Sequence, residues 1–302
     1  MNFTQQTPLN IVLNTLFESY RKSVPAVDTI TKALITKNVI SSPNEIINDH
    51  IAFRTLGVPH LGIASFERIF LHYGYTKKDY YYFESKNLNA YWYAPPSPEY
   101  PRIFMSELVV TELSENVQQI IAHYTKDIVH DPVDDLDLDN GKAVADFLQK
   151  PLWQLPSLAD YKALLRESEY AAWVIYNRYY LNHYTISVHS LMAGYSTLQE
   201  FNNFVESLGI KLNDAGGKIK VSKDGLLAQS STVASLHNAT FANSDQMSIA
   251  GSYVEFAERK ILPEFSNLPA NKIETTHRRD GFETNNADKI FESTYTSQIK
   301  NK

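Results

Sequence analysis

Two short stretches of this chain set a histidine at the head of an apolar, strand-like run. The first is Asn48-Asp49-His50-Ile51-Ala52-Phe53-Arg54-Thr55 and the second is Asn182-His183-Tyr184-Thr185-Ile186-Ser187. The side-chain period of a strand puts His50, Ala52 and Arg54 on one face, with Ile51 and Phe53 on the other. An imidazole and a guanidinium on either side of a small alanine suit the lining of a cavity that holds a metal and an anion. A lone histidine capping a strand is ordinary structure; a second copy in matching context is a more specific signal. Each region also closes on a strand-like segment with one glutamate among apolar neighbours, Glu107 in Phe104-Met105-Ser106-Glu107-Leu108 and Glu255 in Ser252-Tyr253-Val254-Glu255-Phe256. If buried, such a carboxylate needs a proton, a cation or a metal; on the solvent face of an edge strand it needs none.

Packed about a pseudo-twofold axis, the two regions would bring His50, His183 and Glu255 into one cavity, with Glu107 as a fourth candidate. Two imidazoles and one carboxylate form the facial triad that suits Fe(II) and leaves positions open for a chelating substrate and O₂. Two histidines and two glutamates would instead suit Zn²⁺ or Ni²⁺ polarising a substrate oxygen. Arg54 lies roughly 13 Å along the strand from His50 at about 3.3 Å per residue. It is either the bidentate seat of a substrate carboxylate or the partner of a structural one.

The elements that must position these groups are legible from periodicity. Ile11, Leu13, Leu16, Phe17 and Tyr20, then Ile30, Leu34 and Ile35, predict helix over 9–40, broken at Pro25. After the His50 strand comes a helix with Ile63, Phe66, Phe70 and Tyr73 on one stripe, stopped by Gly74, and then extended segments at 80–83, 90–93 and 103–110. After the His183 strand the order returns. Leu198, Phe201, Val205 and Leu208 repeat the stripe, Gly209 repeats the stop, and extended segments follow at 218–222, 226–230 and 252–256. Each module therefore reads βαβββ, an internal repeat with little identity left. This predicts an α+β protein whose two βαβββ modules, of vicinal-oxygen-chelate type, form one metal-binding cup. The boundaries are a helical segment 1–47, first module 48–110, helical insert 111–180, second module 181–260 and C-terminal segment 261–302, all in one catalytic domain. Within the insert a single helix is expected over 161–176. The acidic run Asp134, Asp135, Asp137, Asp139 lacks a calcium loop's closing glutamate and reads as a solvated loop leading to a helix cap.

Composition bounds the rest. The chain has 302 residues, 43% of them hydrophobic, enough for a buried core. A net charge of −6 argues against a broad nucleic-acid or anionic-membrane surface. The absence of cysteine rules out disulfides, thiolate nucleophiles and iron–sulfur clusters. No apolar run approaches the roughly 18 residues of a membrane span, and no signal peptide is evident, so a cytoplasmic location is expected. Other candidates carry less. His189 lies too far from His183 to ligate the same ion; Ser106, Tyr91 and Tyr93 line either the cavity or an ordinary wall. Arg279, beside Gly281, either contacts substrate or clamps the tail, and the clamp is favoured.

The stretches DHIAFRT, PRIFMSELVV, NHYTISV, GSYVEFAER and RRDGFETNNADKIFEST resemble the 2-oxoadipate dioxygenase/decarboxylase family, the hydroxyglutarate synthases. The resemblance runs in patches between residues 45 and 295, and Thr185-Ile186 departs from the Thr-Pro of the family. It implies a non-haem Fe(II) enzyme with a vicinal-oxygen-chelate-like core that converts 2-oxoadipate and O₂ to 2-hydroxyglutarate and CO₂. It also implies His50, His183 and Glu255 as iron ligands and Arg54 as the contact to the substrate carboxylate. A glyoxalase-like metal-dependent isomerase or lyase, and a non-enzymatic small-molecule binding protein of the same fold, are the alternatives.

Overall fold

In a computed structural model, which describes residues 3–300, the two histidine stretches become adjacent strands at the centre of one sheet. The first module is β1 (Asn48–Leu56), α3 (Ile63–His72), β2 (Thr76–Phe83), β3 (Leu88–Ala94) and β4 (Arg102–Leu108), preceded by α1 (Pro8–Ser23) and α2 (Pro25–Thr36). Four helices follow: α4 (Glu115–Thr125), α5 (Gly141–Gln149), α6 (Leu158–Glu167) and α7 (Glu169–Asn177). The second module is β5 (His183–Ser187), α8 (Leu198–Ser207), β6 (Lys220–Val221), β7 (Leu227–Ser231) and β10 (Tyr253–Arg259), with the hairpin β8 (Leu236–Thr240) and β9 (Gln246–Ala250) inserted before its last strand. Helices α9 (Thr284–Phe291) and α10 (Thr296–Lys300) complete the chain. The eight-stranded sheet runs β2-β3-β4-β1-β5-β10-β7-β6. β1 and β5 pair antiparallel at its middle, and each has its module's last strand parallel on its other side. This is the βαβββ repeat expected from the sequence.

One face of the sheet is covered by the two module helices. α3 buries Ile63, Phe66, Ile69 and Phe70, and α8 buries Leu198, Phe201, Phe204 and Val205. Phe53 meets Phe66, and Phe256 meets Phe201, each at 4.9 Å between ring centroids. Burying a phenylalanine contributes about 2–3 kcal/mol, so these stripes anchor both helices. Each helix stops at a glycine with positive φ, Gly74 at 85° and Gly209 at 77°. The N-terminal helix braces the centre of the sheet, because the Tyr20 hydroxyl donates to the Tyr253 carbonyl and accepts from the Tyr184 N–H.

Four expectations need correction. Glu107 is not on the cavity side: its Oε2 accepts the Ile63 N–H at 2.7 Å and so caps α3. Its true counterpart is Glu258, which accepts the Leu198 N–H at 2.8 Å and caps α8. The second module also contains the β8–β9 hairpin. Only Ala239 and Ile249 of its two strands are buried, so it lacks the alternation that marks a half-buried strand. The helix expected over 161–176 is two helices, since Ser168 leaves helical geometry and its side chain caps α7. Finally, β6 is only two residues long, and it pairs at the sheet's edge with β7 alone.

The acidic loop behaves as expected. Asn140 accepts the Ala143 N–H to start α5, and Gly141 lies so close to Pro8 that a Cβ there would stand 2.4 Å from its carbonyl oxygen. The capping role makes a prediction: Glu107→Ala should lower unfolding free energy by about 1–2 kcal/mol. It should appear as a shifted denaturant midpoint at unchanged slope, with metal content unaltered; loss of metal would return Glu107 to the site.

Candidate metal centre

The antiparallel pairing of β1 with β5 sets Ala52 opposite His183, so His50 and His183 project from neighbouring strands into the same space. Parallel pairing of β5 with β10 then sets Thr185 opposite Glu255. The result is a buried group of three ligand-type side chains, His50, His183 and Glu255, whose donor atoms all lie within 4.8 Å of one another. His183 Nε2 is 3.3 Å from His50 Nε2 and 3.1 Å from Glu255 Oε2, while His50 Nε2 is 3.5 Å from Glu255 Oε1. Thr185 Oγ1 is 3.0 Å from His50 Nε2.

Orientation comes from the residue before each histidine. Asp49 Oδ1 is 2.8 Å from His50 Nδ1, and Asn182 Oδ1 is 3.0 Å from His183 Nδ1. A carboxylate only accepts, so His50 carries its proton on Nδ1 and turns the Nε2 lone pair inward; the amide oxygen does the same for His183. Two imidazole lone pairs and a carboxylate thus converge with no proton required among them, a set that repels itself unless a cation stands between its members. The donor set fits a divalent transition metal, for which two neutral imidazoles and a carboxylate are a normal ligand set.

The electrostatics show that the carboxylates here call for positive charge, which a proton on His50 supplies when no cation stands in the cluster. Burial lowers the His50 pKa, but Glu255 and Asp49 outweigh it and leave it above the ordinary range. Burial, the neighbouring His50 and Arg54 hold His183 well below its ordinary value. Asp49 is opposed by its burial, yet Arg259, His50 and Arg102 keep it well below the usual carboxylate range. The Asp49–Arg259 pair is bidentate, at 2.6 and 2.9 Å. Arg259 also donates to the carbonyls of Arg279 and Gly281, which ties the C-terminal segment to the back of the site. Glu255 is oriented by Gln229, whose Nε2 donates to Oε1 at 2.7 Å, and Asn286 of α9 donates in turn to Gln229.

Superposing the module registers shows what is not symmetric. Arg102 pairs with His50 as Tyr253 pairs with His183, so Phe104 stands where Glu255 stands. The first module therefore contributes no carboxylate, and Glu107, an odd number of residues further on, faces the other way. Phe104, Phe282, Ala287, Ile290 and Phe291 wall the cavity, with the Phe282 ring edge-on to His50 at 4.8 Å. Arg54 lies on the cavity face and is 1% exposed. Among the described residues no carboxylate pairs with it. Its guanidinium donates to Thr294 Oγ1 at 3.0 Å and the Phe291 carbonyl at 3.2 Å, and lies 5.1 Å from the rings of Tyr170 and Trp173.

The remaining candidates fall outside the cluster. His189 Nδ1 accepts the Arg259 N–H at 3.1 Å, and burial pushes its pKa down to about 4, consistent with a packing role. Tyr93 donates to Glu67 of α3, and Ser106 meets Tyr170 at 2.9 Å; neither they nor Tyr91 line the cavity. The Arg279 side chain pairs with Asp224 at 3.2 Å, which supports the clamp. Sequence reasoning missed Asp49, Asn182, Gln229, Arg259 and Phe282. Only the first two left a signal, an oxygen-bearing Asp or Asn directly before each histidine.

The comparisons with known proteins agree with this geometry. The family model of the 2-oxoadipate dioxygenases/decarboxylases matches residues 12–269. An Arabidopsis thaliana protein named 2-oxoadipate dioxygenase/decarboxylase, chloroplastic, is 44% identical over 269 residues, covering 84% of this chain and 70% of that protein. The crystal structure of the Oryza sativa hydroxyglutarate synthase in complex with 2-oxoadipate superposes with a TM-score of 0.86 at 41% identity, over 95% of this chain and 92% of the other. A Ralstonia eutropha protein named to the glyoxalase superfamily shares the fold, with a TM-score of 0.69 at 21% identity over 92% of this chain and 87% of that one. The cytoplasmic expectation is corrected by the curated plant relatives, which are named as chloroplastic or amyloplastic and point to a plastid. No helix among the described residues is long and apolar enough to cross a membrane. The matched family and the conjunction of fold with a buried His-His-Glu cluster make the chain a member of the 2-oxoadipate dioxygenase/decarboxylase family.

Proposed function

We propose that the cluster holds Fe(II) through His50, His183 and Glu255, and that the protein is a dioxygenase/decarboxylase acting on 2-oxoadipate or a close 2-oxo diacid. The products are then 2-hydroxyglutarate and CO₂, with both atoms of O₂ appearing in the products. The observation that carries this reading is a three-donor cluster with Phe104 at the position from which a fourth ligand would come. Membership of the family, and the likeness to a synthase crystallised with 2-oxoadipate, support the substrate class. A four-ligand isomerase needs a second carboxylate, and Glu107 is engaged in capping α3.

Iron, when bound, supplies chelation of the substrate's 2-oxo carboxylate and activation of O₂ beside it. The chain's own groups do the rest. Asp49 and Asn182 keep the imidazoles turned inward, and the Asn286–Gln229 pair fixes Glu255. The Arg54 guanidinium, to which the described residues bring no carboxylate, suits the distal carboxylate of the substrate. Phe104, Phe282 and Phe291 keep bulk water from the reacting carbons. The space these side chains leave is about 20 Å³, room for roughly one water. Admission of an organic acid therefore requires the aromatic walls or α9 to move.

The test is oxygen uptake and CO₂ release by the Fe(II)-loaded protein across 2-oxoglutarate, 2-oxoadipate and 2-oxopimelate. Stoichiometric uptake and release with at least one of them is expected; binding without turnover would favour a non-enzymatic binding protein. His50→Ala, His183→Ala and Glu255→Ala should each abolish stoichiometric iron binding measured after gel filtration, and tight iron retained in any one removes that residue from the ligand set. Arg54→Lys should lower kcat/KM about tenfold or more with iron content unchanged, because an ammonium cannot reproduce a two-point contact. Normal turnover would make Arg54 structural. Asp49→Asn should weaken metal affinity by about 10–100-fold, the usual effect of losing a carboxylate behind a ligating imidazole. An unchanged metal titration would show that His50 needs no such partner.

A further inference from the structure

Beyond the three ligand-type residues, the cup holds two buried donors that the protein itself leaves unused. Tyr253 opens β10 opposite His183, its ring tilted 32° to that imidazole with centroids 4.8 Å apart. Its side chain is fully buried, and its hydroxyl has no hydrogen-bond partner among the described residues. The same holds for Nε of the buried Arg54. These are neighbours: the Tyr253 hydroxyl lies beside the Arg54 guanidinium and Ser293 without meeting hydrogen-bond geometry to either. Ser293 is already engaged with Ser231 and Asn213. A buried hydroxyl without an acceptor and a guanidinium without a counter-ion are both unfavourable. Placed side by side, they share one remedy, an anionic acceptor delivered from outside the chain.

We propose that the Tyr253 hydroxyl and Arg54 together seat the distal carboxylate of the substrate, and that Tyr253 makes the site selective for diacids over 2-oxo monoacids. The proposal rests on the reading of the cup as a 2-oxo diacid site. Because the Tyr253 ring packs on His183, its hydroxyl stands at a fixed separation from the metal-binding nitrogens. A diacid of matching length reaches both ends. A 2-oxo monoacid of equal length leaves the phenol and the guanidinium unpaired, and sites built to hydrogen-bond a substrate group reject analogues lacking it by large factors.

The experiment is anaerobic calorimetric titration of the Fe(II)-loaded full chain with 2-oxoadipate and with 2-oxohexanoate, comparing wild type with Tyr253→Phe. The variant keeps the ring against His183 and removes only the hydroxyl. Its affinity for 2-oxoadipate should fall about tenfold, its affinity for 2-oxohexanoate should stay within about twofold, and its iron content should match wild type. Its thermal midpoint should be no lower, because the deleted hydroxyl had no partner to lose; a lower midpoint would mark the hydroxyl as structural and count against the proposal. Unchanged diacid affinity, or an equal loss for both acids, overturns it. If wild type binds 2-oxoadipate in preference to 2-oxohexanoate but consumes no O₂ with it, the dioxygenase reading fails while the carboxylate seat stands. If wild type shows no preference for the diacid, the seat fails.

Discussion

Two imidazole nitrogens facing each other at 3.3 Å, with a carboxylate oxygen 3.1 Å from one of them, form the contact on which the rest of this structure depends. With both rings protonated on the outer nitrogen, the three groups present only lone pairs to one another. In a buried setting that repulsion is only weakly screened. The protein must therefore hold the rings rigidly from behind, and the cluster must be completed by a positive charge. Both requirements shape what lies around it. The rings are pinned by Asp49 and Asn182, the carboxylate by Gln229, and each of these sits on a strand of the central sheet or at its end.

The pseudo-twofold is kept where it serves folding and broken where it serves chemistry. Glu107 and Glu258 occupy matching positions and do the same work, each accepting the first N–H of its module's helix. A carboxylate at a helix N-terminus is favourable in either module. At the cup's floor the two halves part. Glu255 has Phe104 as its counterpart, and Asp49 has Asn182. A second glutamate would close the coordination shell and add another negative charge to a site already rich in lone pairs. An aromatic ring instead supplies an apolar wall on the open side.

Arg259 links the metal centre to the chain's end. It neutralises Asp49 in a bidentate pair while donating to two carbonyls of the segment that carries Phe282 over His50. A buried ion pair of this kind adds little net stability, since desolvation offsets most of the attraction. Its value lies in register: with Arg259 held by Asp49, the Arg279 and Gly281 carbonyls of the tail meet a fixed donor. That placement carries Asn286 to Gln229, and Phe291 and Thr294 to Arg54. The closing wall and the orientation of Glu255 thus depend on one guanidinium more than 20 residues upstream of the segment it positions.

Much of this was legible in the chain itself. Period-two and period-3.6 patterns, with Gly74 and Gly209 as stops, define two equivalent modules, because alternation and helical stripes are local consequences of burying one face. His50, His183 and Glu255 were recognisable as types repeated in context. The pairing of Glu107 with Glu255 was not correct, because two glutamates in similar apolar strands look alike until parallel register shows one at Phe104's level and the other on the opposite face. The β8–β9 hairpin left no pattern, since its strands bury almost nothing. Arg259 and Phe282 were invisible as site residues because they act through contacts across long sequence separations, which composition and periodicity do not encode. Local sequence determined which elements form and which side chains could carry the chemistry. Only the tertiary structure decided which of them meet, since that follows from strand register and from where the tail docks.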